Sequence, residues 1–149
     1  MELLGVAAFE RFFREAASLD VDKDDLRRFG DFVNDRLYDL LLRGMANARA
    51  NGRDVIEPQD LPITKGLQES VQAFEAIDEE LSLDSLLEQL TRRPPLDLVY
   101  SDELSDRLPQ IAGGLGVAVA RTFRILDGDV KNPQTRHWEQ AGRVFDLLL

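Results

Sequence analysis

The stretch DDLRRFGDFVNDRLYDLLLRGMANARAN, Asp24 to Asn51, followed at once by Gly52, decides how this chain folds. It contains no Pro, and its apolar or small residues fall at Leu26, Gly30, Val33, Leu37, Leu40, Leu41, Gly44 and Ala48. Those steps of three and four draw one stripe along a helix. At 1.5 Å per residue, about 27 residues make a rod roughly 40 Å long. Asp22 is the expected N-cap, with Asp24 and Asp25 in the first turn against the positive end of the helix dipole. Asn51-Gly52 supplies the stop. A rod of this length cannot cover its own stripe, so other elements must cross it.

Upstream, residues 6–18 place Phe9, Phe12, Phe13, Ala16 and Ala17 on one helical face, with Glu10, Arg11, Arg14 and Glu15 opposite. Leu19 to Asp22 is a brief connection. Downstream, Arg53 to Ile56 reads as a stub of extended chain, closed by Glu57-Pro58 because Pro disfavours a helical residue before it. A third helix is expected to begin between Pro58 and Leu61, with Asp60 in its opening turn and Pro62 where a missing N–H costs least. Ile63, Leu67, Val71 and Phe74 carry it to Ile77.

The order then returns. Residues 78–83 form an acidic joint, and Ser82 or Asp84 caps a short amphipathic helix built on Leu83, Leu86, Leu87 and Leu90, ended by Arg92-Arg93-Pro94-Pro95. Leu96 to Tyr100 connects to Ser101, the cap of a second long pattern whose stripe is Leu104, Leu108, Ile111, Leu115, Val119, Thr122 and Leu126, closing at Gly128. A shift of 78 positions carries Leu26 onto Leu104, Gly30 onto Leu108, Val33 onto Ile111, Leu37 onto Leu115 and Leu41 onto Val119. Pro109 is expected to kink this second rod or delay its start. Gly113, Gly114 and Gly116 invite close approach of another backbone. A last helix from about Gln134 to Leu148 offers Trp138, Ala141, Val144, Phe145 and Leu148 on one face. The predicted architecture is all-α. One compact domain spans 1–149 in two halves, about 1–77 and 78–149, each short, long, short.

Lys and Arg total 18 against 28 Asp and Glu, a net charge of -10. Residues 1–75 hold 10 basic and 15 acidic side chains and residues 76–149 hold 8 and 13, so neither half is a basic module. Such a chain repels a polyanion on average, and only a local basic patch would reverse that. With 44% hydrophobic residues it is not a disordered chain, and no apolar run reaches the 18 or more residues of a membrane span. The absence of Cys excludes disulfides and thiolate metal sites. The start, MELLGVAAFERFF, carries Glu2 and Arg11 and lacks the basic opening and cleavage site of a secretory signal. The expected location is cytoplasmic, with no membrane partner.

Val21-Asp22 before the first rod and Asn51-Gly52-Arg53-Asp54-Val55-Ile56-Glu57-Pro58-Gln59-Asp60-Leu61 after it carry a family likeness. The second of these resembles the second loop of archaeal-type histones, where Gly-Arg opens the loop and an Asp seven residues beyond the Arg pairs with it. Arg53 and Asp60 have that spacing. With the pattern occurring twice, the chain resembles small bacterial proteins in which two fused histone folds form an intramolecular pseudodimer. That resemblance implies tandem histone folds packed against each other. In the second half Asp129 and Thr135 stand where the Arg and Asp would be. The physical logic stands beside the family name: either half alone exposes a wide apolar face, and fusion supplies the second copy at high effective concentration.

In DNA-binding histones, basic side chains of the loops and helix N-termini hold phosphates. Here Asp54 occupies the loop position that is usually Lys, and the first loop offers Asp20, Asp22 and Asp24 around Lys23. The remaining candidates for a phosphate surface are Arg27, Arg28, Arg53, Arg92, Arg93, Lys131 and Arg136, with Arg92-Arg93 beside Pro94 the pair expected to be most exposed. Scattered Arg on helix faces also read as solvated surface and ion pairs. Arg53 with Asp60 reads as a structural loop clamp worth about 0.5 to 2 kcal/mol.

Catalytic signals are poor. His137, the one His, reads as a satisfied structural residue beside Trp138. Gly113-Gly114-Leu115-Gly116 lies within a helical stripe and suits helix packing better than a phosphate cradle. The Asp cluster near residues 20–25 lacks the Gly and Glu spacing of a calcium loop. The chain therefore reads as a non-enzyme, without cofactor, metal or small-molecule substrate. Two functions stay open: a histone-fold interaction module whose partner is a protein or a second copy of itself, and a DNA-associated architectural protein using an Arg patch. Clustering of Arg27, Arg28, Arg53, Arg92 and Arg93 would favour DNA, and dispersal would count against it.

Overall fold

In the computed structural model, which describes residues 5–77, 83 and 87–149, the first long stripe is one helix of 28 residues. This helix, α2 (Lys23–Ala50), begins in a reciprocal cap. Asp22 Oδ1 accepts from the Asp25 N–H at 3.0 Å, while Asp25 Oδ2 accepts from the Asp22 N–H at 3.1 Å. It is preceded by α1 (Val6–Ala17), which Ser18 ends in the left-handed region at φ 56°. After α2 come Gly52 at φ +71°, the two-residue strand β1 (Val55–Ile56), a 3-10 turn over Pro58–Asp60, and α3 (Lys65–Ala76).

The third helix thus starts later than the sequence predicts. Leu61 precedes Pro62 and is extended, at φ -73° and ψ 132°, as a residue before Pro prefers. Thr64 then caps the helix, its Oγ1 accepting from the Leu67 N–H at 3.1 Å. Of the second short helix, Ser82, Asp84 and Leu86 lie outside the described residues. Leu83 is buried, and the run ends in a 3-10 turn over Gln89–Arg92. Strand β2 (Val99–Tyr100) follows, then α4 (Asp102–Leu126, 25 residues) and α5 (Thr135–Leu148).

Pro109 does not delay α4. Ser101 caps it, accepting from the Leu104 N–H at 3.1 Å, and the helix runs through the Pro. The carbonyl left without a donor belongs to exposed Ser105, open to water.

The connections link the halves reciprocally. β1, after α2, pairs in parallel with β2, before α4, in the register Val55 to Val99 and Ile56 to Tyr100. At the other end of α2, the Asp20 N–H donates to the Lys131 carbonyl at 2.7 Å, so the chain after α4 meets the chain before α2. The core is one continuous cluster. Phe9, Phe12 and Phe13 of α1 pack with Phe29 of α2, Phe74 of α3 and Phe123 of α4, ring centroids 4.9–6.5 Å apart.

The glycines of α4 mark where α3 crosses it. A Cβ on Gly113 would stand 2.4 Å from the Phe74 ring, and one on Gly114 would stand 3.0 Å from the backbone of Val71. One on Gly116 would meet Phe29 at 2.9 Å. Among the described residues no helix is long and apolar enough to cross a membrane.

Candidate functional site

The two loops that follow the long helices are where side-chain chemistry concentrates. After α2, Arg53 straddles Asp60: Nη1 donates to Oδ2 at 2.5 Å and Nη2 donates to Oδ1. Asp60 is 3% exposed, and its Oδ2 also accepts from the Glu57 N–H at 2.7 Å. Asn47 of α2 donates to the Asp60 carbonyl at 2.8 Å, fixing the turn against the helix. The Arg53 guanidinium first, and the Glu57 amide after it, hold the Asp60 carboxyl below the usual carboxylate range despite burial.

After α4 the equivalent closure uses residues that the histone-like spacing does not single out. Asp127, the last residue before the loop, lies 3.0 Å from Nε2 of His137, which is 1% exposed. The other ring nitrogen, Nδ1, accepts from the Gln134 N–H at 2.8 Å, so the proton belongs on Nε2, donated to Asp127. The imidazole therefore caps α5 and closes the loop together. Its hydrogen bond is the main cause that lowers the Asp127 carboxyl, with exposed Arg136 adding an ion pair at 3.1 Å. Both ring nitrogens of His137 are therefore engaged within the chain.

Two further residues tie the halves together. The Arg124 guanidinium donates to the carbonyls of Ala17, Ser18, Gly128 and Val130 at 2.8–3.3 Å, binding the end of α1 to the loop after α4. Trp138 Nε1 donates to Asp25 Oδ1 at 3.1 Å, joining α5 to the cap of α2. Burial pushes the Asp25 carboxyl up, partly offset by that bond. Neither contact has a sequence signal, because each partner is remote along the chain.

The structure divides the phosphate candidates: Arg27, Arg28, Lys131 and Arg136 fall towards the start of α2, Arg92 and Arg93 beside its middle, and Arg53 past its end. Arg27 is exposed and pairs with Asp24 at 3.3 Å. Arg93 is not the open cation expected: Nε donates to Asn34 Oδ1 at 2.8 Å, Nη2 pairs with Asp35, and the guanidinium stacks 5.6 Å from the Tyr38 ring. Arg53 is held by buried Asp60, and Arg136 forms a solvated ion pair with Asp127. Arg28, Arg92 and Lys131 are exposed and form no ion pair among the described residues. From Arg27 to Ala50, where the loop carrying Arg53 begins, the rod spans about 35 Å, with Arg93 beside its middle. Acids stand around these positions, with Asp20, Asp22 and Asp129 exposed at one end and Asp54 and Asp97 at the other.

A shallow cavity of about 320 Å³ lies between Tyr38, Leu90, Pro95 and Tyr100, and its one charged lining residue is Arg93. Among the described residues no group of three or more His, Asp or Glu is arranged to hold a metal ion.

Residues 9–146 match the family described as a domain of unknown function, DUF1931, and the chain belongs to that family. It is similar to a crystal structure of a Thermus thermophilus protein at 53% identity and a TM-score of 0.91, covering 99% of this chain and 100% of that one. A crystal structure of an Aquifex aeolicus protein is similar at 26% identity and a TM-score of 0.85, covering 100% and 98%. An uncharacterized protein of Aquifex aeolicus strain VF5 is 30% identical over 85% of this chain and 81% of its own length.

Proposed function

We propose, for this member of the DUF1931 family, a non-enzymatic pseudodimer of two tandem histone folds that serves as a protein-interaction or architectural module. What supports the pseudodimer is reciprocity. Each long helix is followed by a loop that meets the segment preceding the other long helix, through β1 with β2 at one end and Asp20 with Lys131 at the other. A long helix followed by a shorter one recurs on both sides, and each loop is closed by a buried side chain, Asp60 or His137.

The observation that carries the functional half is how the cations are spent. A phosphate backbone needs several free, neighbouring Lys or Arg side chains. Arg27, Arg53, Arg93 and Arg136 instead bond this chain's own carboxylates, along a rod with acids at both ends. The net charge of -10 adds a repulsion towards a polyanion.

A labelled duplex titrated by fluorescence anisotropy across roughly 50 to 200 mM salt tests this. The expected result is no saturable binding at the low-salt end. Binding that weakens with salt at a log-log slope near -0.9 per phosphate contact would overturn it in favour of a DNA-associated protein, with Arg28, Arg92 and Lys131 the first residues to replace.

A further inference from the structure

We infer that the open apolar face along the C-terminal parts of α4 and α5 is where a second copy of this chain docks about a two-fold axis. The inference rests on the interaction-module reading above and names its partner. On α4, Thr122 stands four residues after Ala118, and Ile125 and Leu126 stand three and four after Thr122, which puts them on neighbouring positions of one side. Ile125 is 83% exposed and Leu126 39%. On α5, Leu148 is expected from its spacing to turn inward with Phe145, yet it is 68% exposed, beside Leu147 at 84% and Leu149 at 40%.

This ridge is held in place. Arg36 of α2 lies 4.9 Å over the Phe32 ring and donates to Asp146 at 2.6 Å and to the Gly142 carbonyl at 3.3 Å, which anchors the last turn of α5. Beside the ridge runs a groove of about 330 Å³ between α4, α5 and the start of α3, lined by Leu67, Thr122 and Val144.

Three arguments select a second copy. The first is shape: Leu148 and Leu149 form a wall of the groove itself, so about a two-fold axis one patch of wall and groove meets the same patch of the other copy. The second is area. At roughly 180 Å² for a free Leu or Ile, the five exposed residues present roughly 550 Å² of apolar surface, near the upper end for a monomer. That is most of the roughly 800 Å² each partner buries in a standard interface. The third is charge. The rim carries pairs already matched within each copy, Lys65 with Glu69 and Arg36 with Asp146, which limits the repulsion between copies of a chain at -10. Val99, at 69% exposure, lies away from this face, on β2 at the separate cavity beside Tyr38 and Tyr100.

Sedimentation of the full chain over micromolar to sub-millimolar concentrations, with and without a DNA duplex, tests the inference. The expected species is twice the 16.8 kDa chain mass. Leu148→Arg and, separately, Ile125→Glu should each weaken association about tenfold or more, with helical circular dichroism unchanged, and Val99→Glu should leave it intact. A mass of 16.8 kDa throughout, or a dimer that both substitutions leave unweakened, would overturn docking at this face. Co-sedimentation with the duplex would instead overturn the function proposed above, so the two failures are read from different components of one experiment.

Discussion

After α2 the cation comes first in sequence and the acid seven residues later, Arg53 reaching Asp60. After α4 the acid comes first and its partner ten residues later, Asp127 meeting His137. Both arrangements bring the start of the next segment back to the end of a long helix, and both bury one member almost fully, Asp60 at 3% exposure and His137 at 1%. The geometry to be satisfied is the same while the polarity is reversed, so what the fold requires is a closed loop and not a particular pair.

The two ends also differ in redundancy. Arg124 adds carbonyl bonds from the second loop to α1, and Trp138 adds a bond to the cap of α2. At the first end the side-chain bonds to the other half come down, among the described residues, to the exposed pair Arg49 with Asp97, at 3.0 Å, beside the two-residue β1–β2 pairing and the Asn47 bond to the Asp60 carbonyl. Removing one clamp should therefore cost more at the first end than at the second.

The largest expected effect is Asp60→Ala, which leaves both Arg53 and the Glu57 N–H without their partner. The loss is about 2 to 3 kcal/mol, below the full cost of breaking a buried pair because water reaches Arg53. In thermal melts Glu57→Ala should lower Tm far less, and equal melting curves for the two variants would remove the clamp from the first loop. Next comes His137→Ala, expected to cost about 1 to 2 kcal/mol as a lost cap. It should also shift the emission of the adjacent Trp138, which folded Asp60→Ala should not. A His137→Ala loss exceeding that of Asp60→Ala would reverse the ranking by redundancy. Arg136→Ala should change Tm least, since that pair is solvated, and a drop matching His137→Ala would move the second clamp onto the arginine.

Acid should sharpen the contrast between Asp60 and Asp127 on one side and Asp25 on the other. The first two are held below their ordinary value, so each contributes stability present above the unfolded pKa near 3.9 and lost as pH falls through the folded value. Asp25 is raised by burial, so the folded state gains from it as pH falls toward its ordinary value, before the other two begin to lose. Urea midpoints should hold level or rise on the way down to about pH 4 and fall below it. Asp60→Asn should flatten the fall, and an unchanged slope would show that Asp60 carries none of the acid lability.

The first half is the more legible in sequence, for physical reasons. Its rod lacks Pro, Asp22 announces the start, Asn51-Gly52 announces the end, and Arg53 to Asp60 has a spacing already tied to one geometry. The start of α3 is ambiguous in sequence because both Pro58 and Pro62 suit a helix opening, and only the extended Leu61 and the Thr64 cap separate a 3-10 turn from the helix. The second clamp is hidden by its reversed order. Arg93 misleads because flanking prolines suggest an open loop, whereas Asn34, Asp35 and Tyr38 lie more than fifty residues away in sequence. The crowding at Gly113 and Gly114 is readable as close packing, though not the identity of the helix that packs there.

That crossing has a consequence for how the chain is made. α3 rests its Val71 and Phe74 on Gly113 and Gly114, so it is synthesised well before the surface it needs. At roughly 5–20 residues per second, α3 waits seconds on the ribosome with its apolar side uncovered until α4 emerges. Translation must therefore pass the middle of the second rod before the first half of the molecule is able to settle.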